Sequence, residues 1–184
     1  MNMAIIEIVI IAVLSIILLG LVIYILYESV FAYISIRGPI FVSSAETRIK
    51  STIELLGEIN TDTKIVDLGS GDGIVLKAIA EKCPSKHIYG FEVNPFLVRR
   101  SQKMIQEAGL ADRVHIIQKN FWDVDLAEFD VIFIYLNRTT IKKFDSKLKL
   151  VFRDGQKIIS NYFKLSSFEP IKTINNVHLY ELHH

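Results

Sequence analysis

Asp67, Gly69, Gly71 and Gly73 stand at alternate positions, directly after the apolar pair Ile65-Val66 and directly before Ile74-Val75-Leu76. That order describes a buried strand, a tight glycine turn and a helix start. Glycine lets the backbone approach a ligand closely, and the open amides of a helix start favour polar or anionic groups. Ser70 adds a hydroxyl inside the turn. A second carboxylate, Glu92, ends another strand-like run, His87-Ile88-Tyr89-Gly90-Phe91. Two strand-ending acids and a glycine turn make a set of fixed polar anchors for a ligand held at several points. The glycine spacing differs from the G-x-G-x-x-G of dinucleotide-binding turns.

The pattern Asp67-x-Gly69-x-Gly71-x-Gly73, followed in register by Glu92, resembles the cofactor motifs of class I S-adenosylmethionine-dependent methyltransferases. The resemblance implies an α/β fold, a Rossmann-like, mostly parallel sheet. It implies that Asp67, Gly69, Ser70, Gly71 and Gly73 hold the amino-acid end of S-adenosylmethionine. Glu92 would accept the two ribose hydroxyls, with Val93 and Asn94 bordering the adenosine. In this family the loop after the third strand often reads the adenine, which points to Asn120 for the amino group and Phe121 for the ring face. A methyl on sulfonium is already activated, so such an enzyme mainly aligns the reactants. The residues mark no general base.

The elements that must position these residues follow from the apolar spacing. Ser43 and Glu46 have capping-box spacing, and Ile49, Ile53, Leu56 and Ile59 then predict a helix to about Ile59. Asn94 and Pro95 suit a helix start, and Gly109 its end. Arg113 to Lys119 predicts a third strand, and Phe129 to Leu136 a fourth, apolar enough to be buried on both faces. Tyr135 and Asn137 therefore sit where ligands of doubly wound sheets lie, beyond the C-terminal strand ends. Ile141, Phe144, Leu148 and Val151 mark a helix, and Gln156 to Phe163 a fifth strand. Ile171 to Ile174 and Val177 to Leu182, joined by Asn175-Asn176, predict an antiparallel C-terminal hairpin.

Ile8 to Tyr27 is an apolar run without a charge. About twenty such residues cross a bilayer as a helix. The flanks hold Glu7 on one side and Arg37, Arg48 and Lys50 on the other, which places the large domain in the cytoplasm by the positive-inside tendency. Gly38-Pro39 ends the helix. The expected organisation is an anchor over 1–34, a connector and leading helix over 35–60, and a cofactor-binding domain over 61–184. The net charge of +1 over 184 residues gives no broad pull toward nucleic acid, and the lone Cys83 excludes an internal disulfide and a cysteine zinc cluster. No metal is expected.

With the anchor, Phe41-Val42-Ser43-Ser44, Glu92-Val93-Asn94-Pro95-Phe96 and Lys119-Asn120-Phe121-Trp122-Asp123 taken together, the chain resembles the small membrane-anchored protein-lysine methyltransferases of the ATP synthase lysine methyltransferase family. That implies a single-pass membrane protein whose partners are the bilayer and a lysine of a membrane protein. Phe41, Ser43, Ser44, Tyr135 and Asn137 are then the substrate-side candidates. The chain departs from the family's common pattern at Ser43, at Asn120 where an acid is usual, and at Lys164-Leu165-Ser166-Ser167-Phe168, where a Trp- and Pro-rich segment is usual. Alternative readings keep the anchor and change the acceptor to a lipid or lipophilic small molecule, or reduce the protein to a non-enzymatic S-adenosylmethionine binder.

Overall fold

Strands of three to six residues alternate with amphipathic helices, and such elements bury their apolar surfaces by stacking helices on either side of one sheet. The computed structural model describes residues 3–37 and 42–183, with the side chains of 4, 5, 30–37 and 42–45 outside that description. The chain forms two units, Met1–Ser43 and Ser44–His184.

The first unit is built on α1 (Met3–Arg37). Ile6–Ser29 within it is long and apolar enough to cross a membrane. Those 24 residues rise about 36 Å, somewhat more than the hydrocarbon core of a bilayer. Ile10, Leu14, Leu18, Leu21 and Ile25 along it are all exposed. Ser15, the hydroxyl in the run, donates to the Ile11 carbonyl at 2.8 Å and so needs no water. The expected break at Gly38-Pro39 lies outside the described residues.

The second unit is an α/β sheet. Its elements are α2 (Val42–Leu56), β1 (Lys64–Leu68), α3 (Ile74–Lys82), β2 (His87–Glu92), α4 (Pro95–Glu107), β3 (Val114–Gln118), β4 (Val131–Ile134), α5 (Arg138–Val151), β5 (Gln156–Asn161), β6 (Lys172–Ile174) and β7 (Val177–Leu182). The seven strands lie in the order β3-β2-β1-β4-β5-β7-β6. β1 to β5 are parallel, and β7 pairs antiparallel with both β5 and β6. The strand order reverses between β1 and β4, the switch point at which doubly wound sheets bind ligands.

Two apolar layers hold the sheet. On one face Leu55 and Leu56 of α2 and Leu76 and Ile79 of α3 pack on Ile65, Val131 and Ile159. On the other, Ile141, Phe144 and Leu148 of α5 pack on Val66, Ile132 and Ile158. Each such side chain contributes about 1.5–3 kcal/mol. Instead of a helix, the connection from β3 to β4 uses two short 3-10 turns, Phe121–Asp123 and Leu126–Glu128, capped by Asn120 and Asp125. Buried Gln156 secures the second turn by donating to the carbonyls of Leu126 and Phe129 at 2.7 and 2.8 Å.

Several element ends differ from the sequence expectation. α2 begins at Val42, so Ser43 stands inside the helix rather than capping it, and ends at Leu56 instead of near Ile59. β4 covers Val131–Ile134 only, which leaves Tyr135 out of the core at 60% exposure. Val151 is on the open side of α5, because the buried stripe ends at Leu148. β5 stops at Asn161, two residues before Phe163, because Tyr162 takes a positive φ of 75° that no strand continues through. The hairpin turn forms as the sequence indicates, with Asn175 and Asn176 at φ of 49° and 62°, the left-handed pair that matches strand twist.

Candidate functional site

The parallel strands bring the ends of β1, β2, β4 and β5 to one edge, and the marked residues collect there. On the β1–β2 side the turn after Leu68 is fixed by its backbone. Gly69 and Ser70 both donate to the Phe91 carbonyl, at 2.8 and 3.1 Å, and Gly73 donates to the Ser70 carbonyl at 2.9 Å. Gly69, Gly71 and Gly73 all have positive φ, at 83°, 57° and 79°, a conformation side chains resist. At Gly73 space is also short: a Cβ would meet Ser101 Cβ at 2.8 Å, so this glycine lets α3 approach α4. Gly90 on β2 is not singled out by its spacing in the sequence. A Cβ there would lie 2.5 Å from Leu76 Cδ1 and 2.8 Å from Ser70 Oγ. The turn thus presses directly on the neighbouring strand.

Glu92 joins the two motifs. Its Oε2 accepts from the Gly71 amide at 3.0 Å, and its Oε1 from the Asn94 amide at 2.8 Å. Each carboxylate oxygen has a second lone pair, so the group is oriented and still able to accept. Asn94 in turn caps α4, its Oδ1 accepting from Phe96 at 2.9 Å, while Val93 is exposed beside it. Asp67 is buried near the end of β1, just before the turn. Burial, and secondly the charge of Glu92, push its carboxyl up to about 7.

Asn120 accepts from the Trp122 amide at 3.1 Å and keeps its side-chain NH2 group. Phe121 is half-buried, its ring centroid 4.9 Å from that of Trp122. Lys147 of α5 donates to the Trp122 carbonyl and lies over the indole ring at 5.8 Å, which ties this turn to the helix.

On the β4–β5 side, the exposed Tyr135 ring carries the Arg48 guanidinium of α2 at 5.7 Å. Asn137 caps α5, its Oδ1 taken by the amides of Thr139 and Thr140 at 3.1 and 2.9 Å. Of the other substrate-side candidates, Phe41 lies outside the described residues, and Ser43 and Ser44 belong to α2 with side chains outside them. Two residues at this edge carry no mark in the local sequence. They are Tyr162, 54% exposed at the end of β5, and Arg48 as a partner of Tyr135.

The β1–β2 side thus gathers several polar groups beside an aromatic ring. Asp67 supplies a carboxyl, Glu92 two oriented acceptors, and Asn120 a polar group beside the Phe121 ring. The space next to Gly69 and Gly71 is open to 4 Å, and Ser70 Oγ is buried without a hydrogen-bond partner.

Comparison with known proteins bears on the family and the cofactor. A protein-lysine N-methyltransferase of Saccharolobus islandicus is 25% identical over 134 residues, covering 73% of this chain and 83% of its own. The adenine nucleotide translocase lysine N-methyltransferase of Mus musculus is 26% identical over 147 residues, covering 78% of this chain and 63% of the relative's length. Among solved structures, an RNA methyltransferase of Salinibacter ruber in complex with S-adenosyl-L-homocysteine superposes with a TM-score of 0.64 at 26% identity, covering 72% of this chain and 86% of that one. Residues 67–172 match the family model described as the ANTKMT methyltransferase domain, and the chain belongs to that family of methyltransferases.

Proposed function

We propose that this protein transfers the methyl group of S-adenosylmethionine to the side-chain amine of a lysine in a protein substrate, working beside a bilayer that α1 anchors it to. The observation that carries the cofactor assignment is the double tie of Glu92 to Gly71 and Asn94, which aims a carboxylate from β2 across the glycine turn. The lysine assignment rests on family membership and on relatives named as protein-lysine methyltransferases. The anchor assignment rests on Ile6–Ser29.

S-adenosylmethionine, when bound, supplies an electrophilic methyl on a sulfonium. The chain's residues orient and desolvate. Glu92 holds the ribose hydroxyls, with Val93 and Asn94 beside the adenosine. Asn120 and Phe121 take the adenine, and Asp67, Gly69, Ser70, Gly71 and Gly73 hold the amino-acid end. Tyr135 and the loop through Asn137 border the acceptor.

A lysine amine attacks only when neutral, and its ordinary pKa is about 10.4. Two features here favour the neutral form. Aromatic surfaces displace water from the amine, and Arg48 puts a fixed positive charge over Tyr135, which disfavours a second cation nearby. Tethering raises the local concentration of a membrane-protein acceptor without any new contact.

The test is to incubate membranes holding the full chain with isotopically labelled S-adenosylmethionine and map the label by mass spectrometry. Label on protein lysines, absent with Glu92→Ala, is the expected result. Label confined to extracted lipid would replace the protein acceptor with a lipophilic one.

A further inference from the structure

We infer that Tyr162 is an acceptor-binding residue, an aromatic wall for the aliphatic amine that the β4–β5 edge receives. The assignment deepens the lysine reading and rests on it.

Backbone strain is the first observation. Tyr162 is the central residue of a three-residue turn in which Phe163 donates to the Asn161 carbonyl at 3.0 Å. Its φ of 75° belongs to the rarer, strained form of γ-turn. Among the described residues only Asn175 and Asn176 share a positive φ without being glycine, and the hairpin turn explains both. A bulky aromatic in this region is an outlier, and such outliers persist only where the surroundings over-determine them.

The surroundings do so here. The Tyr162 amide donates to the Asn176 carbonyl at 2.7 Å, at the tip of the hairpin. Buried His178 of β7 pairs with Ser160 across the antiparallel β5–β7 ladder, two residues before Tyr162, and its ring Nδ1 meets Thr173 Oγ1 at 2.9 Å. Asn175, the neighbour in the hairpin turn, donates to Ser51 of α2 at 3.0 Å. Ser160 donates to the Phe163 carbonyl on the far side of the turn. The turn is clamped by β7, by the hairpin and through it by α2.

What the clamp secures is the backbone, and the side chain is left out of the core. The Tyr162 ring is 54% exposed and meets the Phe163 ring edge-on at 4.8 Å. For folding alone a glycine would occupy this φ without strain and would expose no aromatic surface. The tyrosine therefore has a use outside the fold.

Its position says which. Ile134 pairs with Ser160 at the C-terminal end of the parallel β4–β5 ladder, and Tyr135 lies one residue and Tyr162 two residues beyond that pair along their chains. Asp67 pairs with Phe133 one step earlier, which puts the cofactor turn and these aromatics on the same sheet edge. Asn161 adds a buried Oδ1 without a hydrogen-bond partner at the foot of the turn. An exposed aromatic ring and an unused acceptor suit a neutral alkylamine: the methylenes lie against the ring, and an N–H meets the carbonyl oxygen.

The experiment uses the full chain in detergent with isotopically labelled S-adenosylmethionine and a lysine-rich synthetic peptide as acceptor. Tyr162→Ala and Tyr162→Gly are expected to raise the peptide KM about tenfold, in the range of the apolar contact that one aromatic ring makes. kcat and the S-adenosylmethionine Kd stay within about twofold, because the cofactor side is untouched. Tyr162→Phe keeps the ring and the wild-type KM. Tyr162→Gly also keeps or raises Tm, since it relieves the φ, which separates loss of binding from loss of fold. An unchanged KM in Tyr162→Ala, with an active wild type, overturns this assignment alone. A wild type that binds S-adenosylmethionine and methylates no lysine overturns the lysine reading and this assignment together.

Discussion

The two halves of one sheet edge are built on opposite principles. At the ends of β1 and β2 the backbone does the holding: three glycines at positive φ, amides closed onto the Phe91 carbonyl, and a carboxylate tied at both oxygens. At the ends of β4 and β5 side chains stand out into solvent, Tyr135 and Tyr162 both more than half exposed. The first half is shaped for one invariant ligand. The second is a surface of aromatic rings and a cation, which suits a flexible acceptor and tolerates variation. A methyltransferase needs this division, because the donor is the same in every reaction and the acceptor is what distinguishes one enzyme from another.

On this division, changes on the β1–β2 side should disturb fold and cofactor binding together, and changes on the β4–β5 side should disturb acceptor kinetics alone. The largest effect is expected from Gly73→Val. It forces a branched side chain into φ 79° and against Ser101 Cβ. Strain and overpacking together cost about 4 kcal/mol. Urea unfolding should show the loss, and calorimetry no cofactor binding.

Asp67 gives the next effect, read through pH. Its folded-state pKa of about 7 lies above the ordinary 3.8. Between these values the folded protein keeps a proton that the unfolded chain releases, so this group's stabilising contribution is full below about pH 4 and is lost as pH rises to about 7. Asp67→Asn removes the titration. The stability of the wild type relative to this variant should therefore decline from about pH 4 to about pH 8, measured by urea unfolding at each pH. A difference that stays flat would mean that the carboxyl is not desolvated.

On the other half, Tyr135→Ala should raise the acceptor KM by about fivefold, the size of a partial loss of apolar contact with one ring, with stability within about 0.5 kcal/mol. Steady-state kinetics at saturating S-adenosylmethionine separate KM from kcat. A shift in the cofactor Kd would instead blur the boundary between the halves. Smallest in binding terms is Asn137→Ala. It frees the amides of Thr139 and Thr140 and costs about 1 kcal/mol, a Tm loss of about 2–4 °C, with the cofactor Kd unchanged.

The same contrast explains what the sequence reveals. Backbone-built features leave a mark in residue type, because only glycine accepts the turn's φ values and only an acid at the end of β2 reaches Gly71. The Asp67-to-Gly73 turn, Glu92 and the cap at Asn94 are therefore legible, as are the helix stripe of α5 through Leu148 and the Asn175-Asn176 turn. Gly90 is not, because its requirement comes from Leu76 and Ser70, which only the packed sheet brings to it. Tyr162 is not, because Asn161-Tyr162-Phe163 has the composition of a continuing strand. The clamp that breaks it comes from Asn176, farther along the chain in the hairpin before β7. Arg48 reaches Tyr135 from another element, and no local pattern announces such a pairing.

The most direct test of the central claim is calorimetry of the full chain in detergent with S-adenosylmethionine, for the wild type and Glu92→Ala. The account predicts saturable one-site binding by the wild type. It predicts roughly 100-fold weaker binding by the variant, as befits about 3 kcal/mol of charge-assisted hydrogen bonding to the ribose, with thermal unfolding that stays cooperative. A folded wild type that binds no S-adenosylmethionine, or a Glu92→Ala variant that binds it as well as the wild type, would contradict the placement of the cofactor at the ends of β1 and β2.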